Sequence, residues 1–99
     1  MLIGIDVGGT KIEAVALSPQ GESLDRLRID TPRAYEASVR AVSGLVAALE
    51  ARHGAGMSVG VGIPGAISPA TGLVKNANST WLNGRPLQTD LSEALARPV

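Results

Sequence analysis

The chain has no cysteine and no phenylalanine, and one tyrosine and one tryptophan are its only aromatic residues. The lack of cysteine excludes disulfide staples, thiolate catalysis and cysteine-ligated zinc from these residues, and it suits a cytoplasmic protein. The lack of Phe means that a core has to be built from Val, Ile, Leu and Ala around close-packed glycines, a pattern common in α/β proteins. Charge of one sign is missing too. Nine Lys and Arg balance nine Asp and Glu, and the basic residues are scattered, so no stripe for a DNA or RNA backbone is present. No apolar run is long enough to span a bilayer, and no basic leader precedes the first strand-like run. The expectation is therefore a soluble, cytoplasmic protein with neither a nucleic-acid nor a membrane partner. With 99 residues, 44% of them apolar, the chain has room for one modest core and one domain, spanning 1–99.

What is present alternates between strand and helix patterns. Leu2 to Val7 is apolar apart from Gly4 and Asp6, which predicts a central strand buried on both faces. After Gly8-Gly9-Thr10, Lys11 to Leu17 reads as a second strand, and so short a connection permits only an antiparallel hairpin. Ser18-Pro19-Gln20-Gly21 is a turn signal. Beyond it, Arg26, Arg28 and Asp30 alternate with Leu27 and Ile29, as in a half-buried edge strand. Between Pro32 and His53 the period changes, with Tyr35, Val39, Val42, Val46 and Leu49 at helical spacing. Gly54 and Gly56 are placed to close that helix in a left-handed conformation.

Met57, Val59, Val61 and Ile63 then alternate with Ser58, Gly60 and Gly62. This predicts a strand with one face nearly bare of side chains, against which something has to pack closely. Pro64-Gly65 stops it, Ser68 to Gly72 makes a turn, Leu73 to Lys75 gives a short extended piece, and a polar loop runs from Asn76 to Arg85. Leu87, Leu91 and Leu95 mark a last short helix, for which Pro86 is a tolerated start. The fold class is α/β with a mixed sheet. The stop at Arg97-Pro98-Val99, just after a helix has handed over to what looks like a new strand, carries the expectation that the domain continues.

The residues suited to chemistry begin with Asp6-Val7-Gly8-Gly9-Thr10-Lys11. Two glycines let backbone N–H groups approach anionic oxygens, Thr10 adds a hydroxyl donor and Lys11 a positive charge. Asp6 would repel a phosphate directly. Its natural place beside one is as a ligand, through water, of the Mg²⁺ that accompanies ATP. The P-loop needs a longer glycine spacing before its Lys, and the dinucleotide fingerprint needs a helix after the turn, so neither applies. A plain tight hairpin, with Asp6 capping its strand, is the competing account of the same residues.

Gly62-Ile63-Pro64-Gly65 adds to the first account. It lies at the C-terminal end of a strand, where ligands bind in open α/β sheets. The loop bearing Asn76, Asn78, Ser79, Thr80 and Asn83 can donate and accept the hydrogen bonds that a polyhydroxylated ligand requires, although such residues also stabilise turns. Trp81 is read as a loop anchor and His53 as a surface residue.

Taken together, IGIDVGGTKIEAVAL, the Thr31 to Arg33 triplet, VGVGIPGAISPATG and LVKNANSTWLNGRPLQTDLSEAL resemble the N-terminal part of the ROK group (repressors, open reading frames, kinases) of bacterial sugar kinases, over essentially all of the chain. The last two stretches look closest to the fructokinase (mannofructokinase) branch. The resemblance implies the actin-like, ribonuclease-H-like ATPase fold, with this chain as its N-terminal lobe. It implies that Gly4, Asp6, Gly8, Gly9, Thr10 and Lys11 serve ATP phosphates and Mg, and that Gly65 and Asn78, together with Asn76 and Thr80, line a sugar site.

The resemblance further implies phosphoryl transfer to a hexose, fructose first, by a homodimer when full length. The catalytic Asp, the second phosphate loop, the adenine pocket and the zinc site that many members carry are expected beyond Val99, which leaves the 99 residues inactive alone. The family's sugar-sensing repressors place a winged helix-turn-helix ahead of this domain, whereas here Met1 leads directly into a strand. A non-catalytic sugar-binding module is the third expectation.

Overall fold

The computed structural model describes residues 1–62, 66–67, 71, 73–75 and 84–99. Three strands open the chain: β1 (Leu2–Val7), β2 (Lys11–Leu17) and β3 (Ser23–Asp30). A helix α1 (Tyr35–His53) leads to β4 (Ser58–Gly62); the two-residue strands β5 (Ala66–Ile67) and β6 (Val74–Lys75) follow, and α2 (Leu87–Leu95) comes last. The main sheet has the order β3-β2-β1-β4, while β5 and β6 pair as a separate antiparallel ladder. β1 is antiparallel to β2, as the short connection demands, and parallel to β4, to which the chain returns through α1. The sheet is therefore mixed, as its element order predicts.

Alternation along the strands decides which face is covered. Ile3, Ile5 and Val7 of β1, Ile12, Ala14 and Ala16 of β2, and Val59 of β4 are buried in one core with Val42, Leu45, Val46 and Leu49 of α1. Leu27 and Ile29 of β3 pack partly against it. The opposite face carries Leu2, Gly4 and Asp6 on β1 and Ser58, Gly60 and Gly62 on β4, and among the described residues no helix covers it. Burial of β1 on both faces is thus corrected: Leu2 is 41% exposed and Asp6 is exposed, because both helices lie on the Ile3 side.

α1 spans 19 residues, and its apolar stripe runs deeper than the valines alone suggest. Ser38 is buried in it and donates to the Ala34 carbonyl at 2.8 Å and to the Pro32 carbonyl at 3.2 Å, which fixes the helix entry. At the other end the Gly54 N–H donates to Glu50 O at 2.9 Å. Gly54 has φ 112° and ψ 146°, so the positive φ expected of a closing glycine is present, but ψ is extended rather than left-handed helical.

α2 has only nine residues, too few to hold a helix in water without packing. Leu87, Leu91 and Leu95 join the same core and seat it on α1. A polar clasp joins the two helix starts: the Tyr35 hydroxyl donates to Asp90, and the Arg85 guanidinium lies 4.0 Å from the Tyr35 ring centroid. Burial, reinforced by the Asp90 carboxylate, pushes the Tyr35 hydroxyl above its ordinary pKa.

Candidate functional site

The candidate site forms where β1 and β2 meet in the Gly8-Gly9-Thr10 turn. The Gly8 N–H donates to Lys11 O at 2.9 Å, so the turn closes as a tight hairpin. A Cβ added at Gly8 would lie 2.8 Å from that same backbone oxygen, so glycine is required there. Gly8 is half-buried, and Gly9, Thr10 and Lys11 are exposed.

Asp6 stands one residue from the end of β1, opposite Glu13 of β2 and Gly62 of β4. It borders a shallow trough of about 390 Å³ on the uncovered face, along with Gly4, Glu13, Val15, Gly60 and Gly62. Gly4 and Gly60 are register partners, so the floor there is backbone. This is the nearly bare face read from the β4 alternation, and nothing described packs on it.

Two carboxylates side by side would repel, but Glu13 is neutralised. Arg28 donates to Glu13 Oε2 through Nε at 3.0 Å and Nη2 at 2.7 Å, and Arg26 Nε lies 3.3 Å from Oε1. The Arg28 hydrogen bond, aided by the charges of Arg26 and Arg28, holds the Glu13 carboxyl below its ordinary value against the opposing effect of burial. Asp6 has no hydrogen-bond or ion-pair partner among the described residues.

Lys11 opens β2 directly after the turn. β2 and β3 place it opposite Asp30, and its ammonium pairs with that carboxylate. Beside that exposed pair, the loop offers the Asp6 negative charge, backbone N–H groups and the Thr10 hydroxyl. Such a donor set fits a phosphate only in company with a cation, and Asp6 is an exposed hard oxygen ligand of the kind Mg²⁺ takes. Gly8, Gly9, Thr10 and Asp6 are therefore brought together, with Gly4 farther along the trough. Gly65, Asn76, Asn78 and Thr80 lie outside the described residues.

One contact at the site was not legible in the motif. Thr31, the residue after β3, donates its hydroxyl to Gly8 O at 2.9 Å and its N–H to Thr10 O at 2.9 Å. Its presence in the Thr31 to Arg33 triplet was the only sequence signal. His53, read as a surface residue, is partly buried with Nε2 at 3.0 Å from Asp25 Oδ2.

Among the described residues, no helix is long and apolar enough to cross a membrane, and no group of three or more His, Cys, Asp or Glu is placed to hold a metal ion.

The ROK family model matches residues 2–99. The N-acetyl-D-glucosamine kinase of Escherichia coli O1:K1 / APEC is 43% identical over 101 aligned positions, covering 100% of this chain and 33% of that protein. A ROK family glucokinase from Streptomyces griseus, solved with glucose and AMPPNP, superposes with a TM-score of 0.84 at 29% identity, over 99% of this chain and 31% of its own. The inorganic polyphosphate/ATP-glucomannokinase of Arthrobacter sp. strain KM gives 0.79 at 39% identity, over 99% and 42%. The chain thus spans about a third of the length of the curated relatives it matches. Its mixed sheet and two helices match the N-terminal domain of these kinases, of the actin-like, ribonuclease-H-like ATPase fold. By sequence along its whole length and by fold, this chain belongs to the ROK family.

Proposed function

We propose that this chain is the N-terminal, phosphate-binding lobe of an ATP-dependent sugar kinase. The observation that carries the proposal is the pairing of a glycine turn with a carboxylate that has no partner among the described residues: Gly9 and Thr10 are exposed beside Asp6, while Glu13 and Lys11 are both paired. Asp6 would hold the Mg²⁺, and the turn's N–H groups and the Thr10 hydroxyl would meet the phosphate oxygens. Mg·ATP supplies the γ-phosphoryl group; the chain's part is to orient it and offset its charge. Gly65, Asn76, Asn78 and Thr80 are assigned to the sugar hydroxyls on the resemblance and on the hydrogen-bonding capacity of the polar loop read from Asn76 to Arg85. The base that takes the hydroxyl proton and the rest of the nucleotide site belong to residues outside these 99.

The substrate class is a hexose. The stretches 59–72 and 73–95 resemble fructokinases and support fructose. The 43% identity to an N-acetyl-D-glucosamine kinase supports N-acetylglucosamine as a second reading. A coupled ADP-release assay on the full-length parent, with fructose, mannose, glucose and N-acetylglucosamine, separates them by kcat/KM. Turnover of any hexose supports a kinase, and the preferred one decides between the readings. The absence of ADP release with all four would sink the proposal and favour a sugar-sensing role.

A further inference from the structure

We infer that Thr31 is a positioning residue for the phosphate turn, holding two of its carbonyls so that its N–H groups present to a nucleotide phosphate. The inference deepens the phosphate-binding reading and rests on it. Thr31 is only 9% exposed and is 23 residues from Gly8 in sequence, yet it makes two separate bonds to the turn. Its hydroxyl donates to Gly8 O and its N–H to Thr10 O, each at 2.9 Å. The end of β3 therefore grips the turn at both of its sides.

The geometry of a peptide unit gives this grip a consequence. Every described peptide bond is trans, so a carbonyl and the N–H of the next residue point in opposite directions. Anchoring Gly8 O on Thr31 turns the Gly9 N–H away from Thr31. Anchoring Thr10 O likewise turns the Lys11 N–H away. A glycine pair has more backbone freedom than any other dipeptide, so without an anchor its amides sample many directions. A phosphate would then have to order them on binding, at a cost in affinity. The main-chain bond from Thr31 belongs to any residue at that position, whereas the hydroxyl bond needs Thr or Ser. The neighbouring Lys11 to Asp30 pair stitches the same two strands but touches neither carbonyl.

The test uses the full-length parent and three variants: Thr31→Val, which keeps the shape and removes the hydroxyl, Thr31→Ser, which keeps the hydroxyl, and Thr31→Ala. Equilibrium binding of Mg·AMPPNP, KM for ATP, KM for the best hexose and thermal melting are measured on each. Loss of one neutral hydrogen bond predicts binding weaker by about three- to tenfold in Thr31→Val, with KM for ATP raised alike. The hexose KM stays at its parental value, and Thr31→Ser restores binding to within about twofold.

A Thr31→Val protein that melts earlier but binds Mg·AMPPNP like the parent overturns the inference, leaving Thr31 only a fold-stabilising role. So does an equal rise in both KM values, or a failure of Thr31→Ser to rescue. If Thr31→Val does not fold, Thr31→Ala is read by the same criteria. Should the parent itself bind no Mg·AMPPNP, the phosphate-binding reading fails first and this inference falls with it. Parental binding that is unmoved by the substitutions removes the inference alone.

Discussion

Arg97 clasps Glu50 with two parallel hydrogen bonds, Nη1 to Oε2 at 2.9 Å and Nη2 to Oε1 at 3.0 Å. The same Nη1 donates to Met57 O at 2.7 Å, and Glu50 Oε2 accepts from Met57 N at 3.0 Å. One carboxylate therefore ties together the end of α1, the segment entering β4 and the residues after α2. The Arg97 hydrogen bond, opposed by burial, keeps the Glu50 carboxyl below its ordinary value. Bidentate pairs of this kind are stronger than neutral hydrogen bonds, but with side chains 24% and 12% exposed the pair is partly weakened by water. Arg97→Ala is expected to cost about 1–2 kcal/mol in urea unfolding. A change within error would show that the clasp forms without stabilising the fold.

Asp25 gives the chain an acid-sensitive link between β3 and the end of α1. Hydrogen bonds from Arg52 and His53 lower its carboxyl from 3.8 to about 2. The group is depressed on folding, so its contribution is fully present above its unfolded value and is lost as pH falls through the folded one. Stability should thus decline between about pH 4 and pH 2. Asp25→Asn should flatten that part of the profile, and NMR titration of the Asp25 carboxyl carbon reads the value directly. A midpoint near 3.8 would contradict the link.

Leu91 is 1% exposed and is the middle anchor of a helix too short to stand alone. Leu91→Ala is expected to cost about 2–4 kcal/mol and to release α2. Limited proteolysis should then cut within residues 84–99 before the rest of the chain, and uniform resistance would argue against α2 depending on its packing.

Gly8→Ala forces a methyl against the Lys11 oxygen that closes the turn. Crowding of that type costs about 1–3 kcal/mol, and the displaced turn should lose Mg·AMPPNP affinity in the full-length parent. Calorimetric titration of that variant against the parent checks it, and undiminished affinity would place the phosphate elsewhere.

The parts of this fold that were legible in the sequence are those written in local period. The Leu2–Val7 and Lys11–Leu17 pair with its glycine turn, and the α1 stripe from Tyr35 to Leu49, carry their signals within a few residues. What was not legible depends on long-range register. The pairing of Lys11 with Asp30 follows from β3 lying beside β2, in a register that shifts between Ala16 and Leu17. Thr31 reaches Gly8 only because β3 returns alongside β2. Gly4, which interrupts the apolar run of β1, has no side chain and borders a trough on the uncovered face. β5 is two residues long, too short to show any period. The sugar-site residues Gly65, Asn76, Asn78 and Thr80 rest on motif resemblance, beyond the described residues.

The central claim is that Asp6 and the adjoining turn receive the phosphates of Mg·ATP. Its most direct test is calorimetric titration of Mg·AMPPNP into the full-length parent and into Asp6→Asn, a nearly isosteric change that removes only the charge. The account predicts saturable, magnesium-dependent binding by the parent, weakened by about tenfold or more in the variant, while thermal melting without nucleotide stays the same. Equal binding by both proteins, or binding that is indifferent to magnesium, would contradict it.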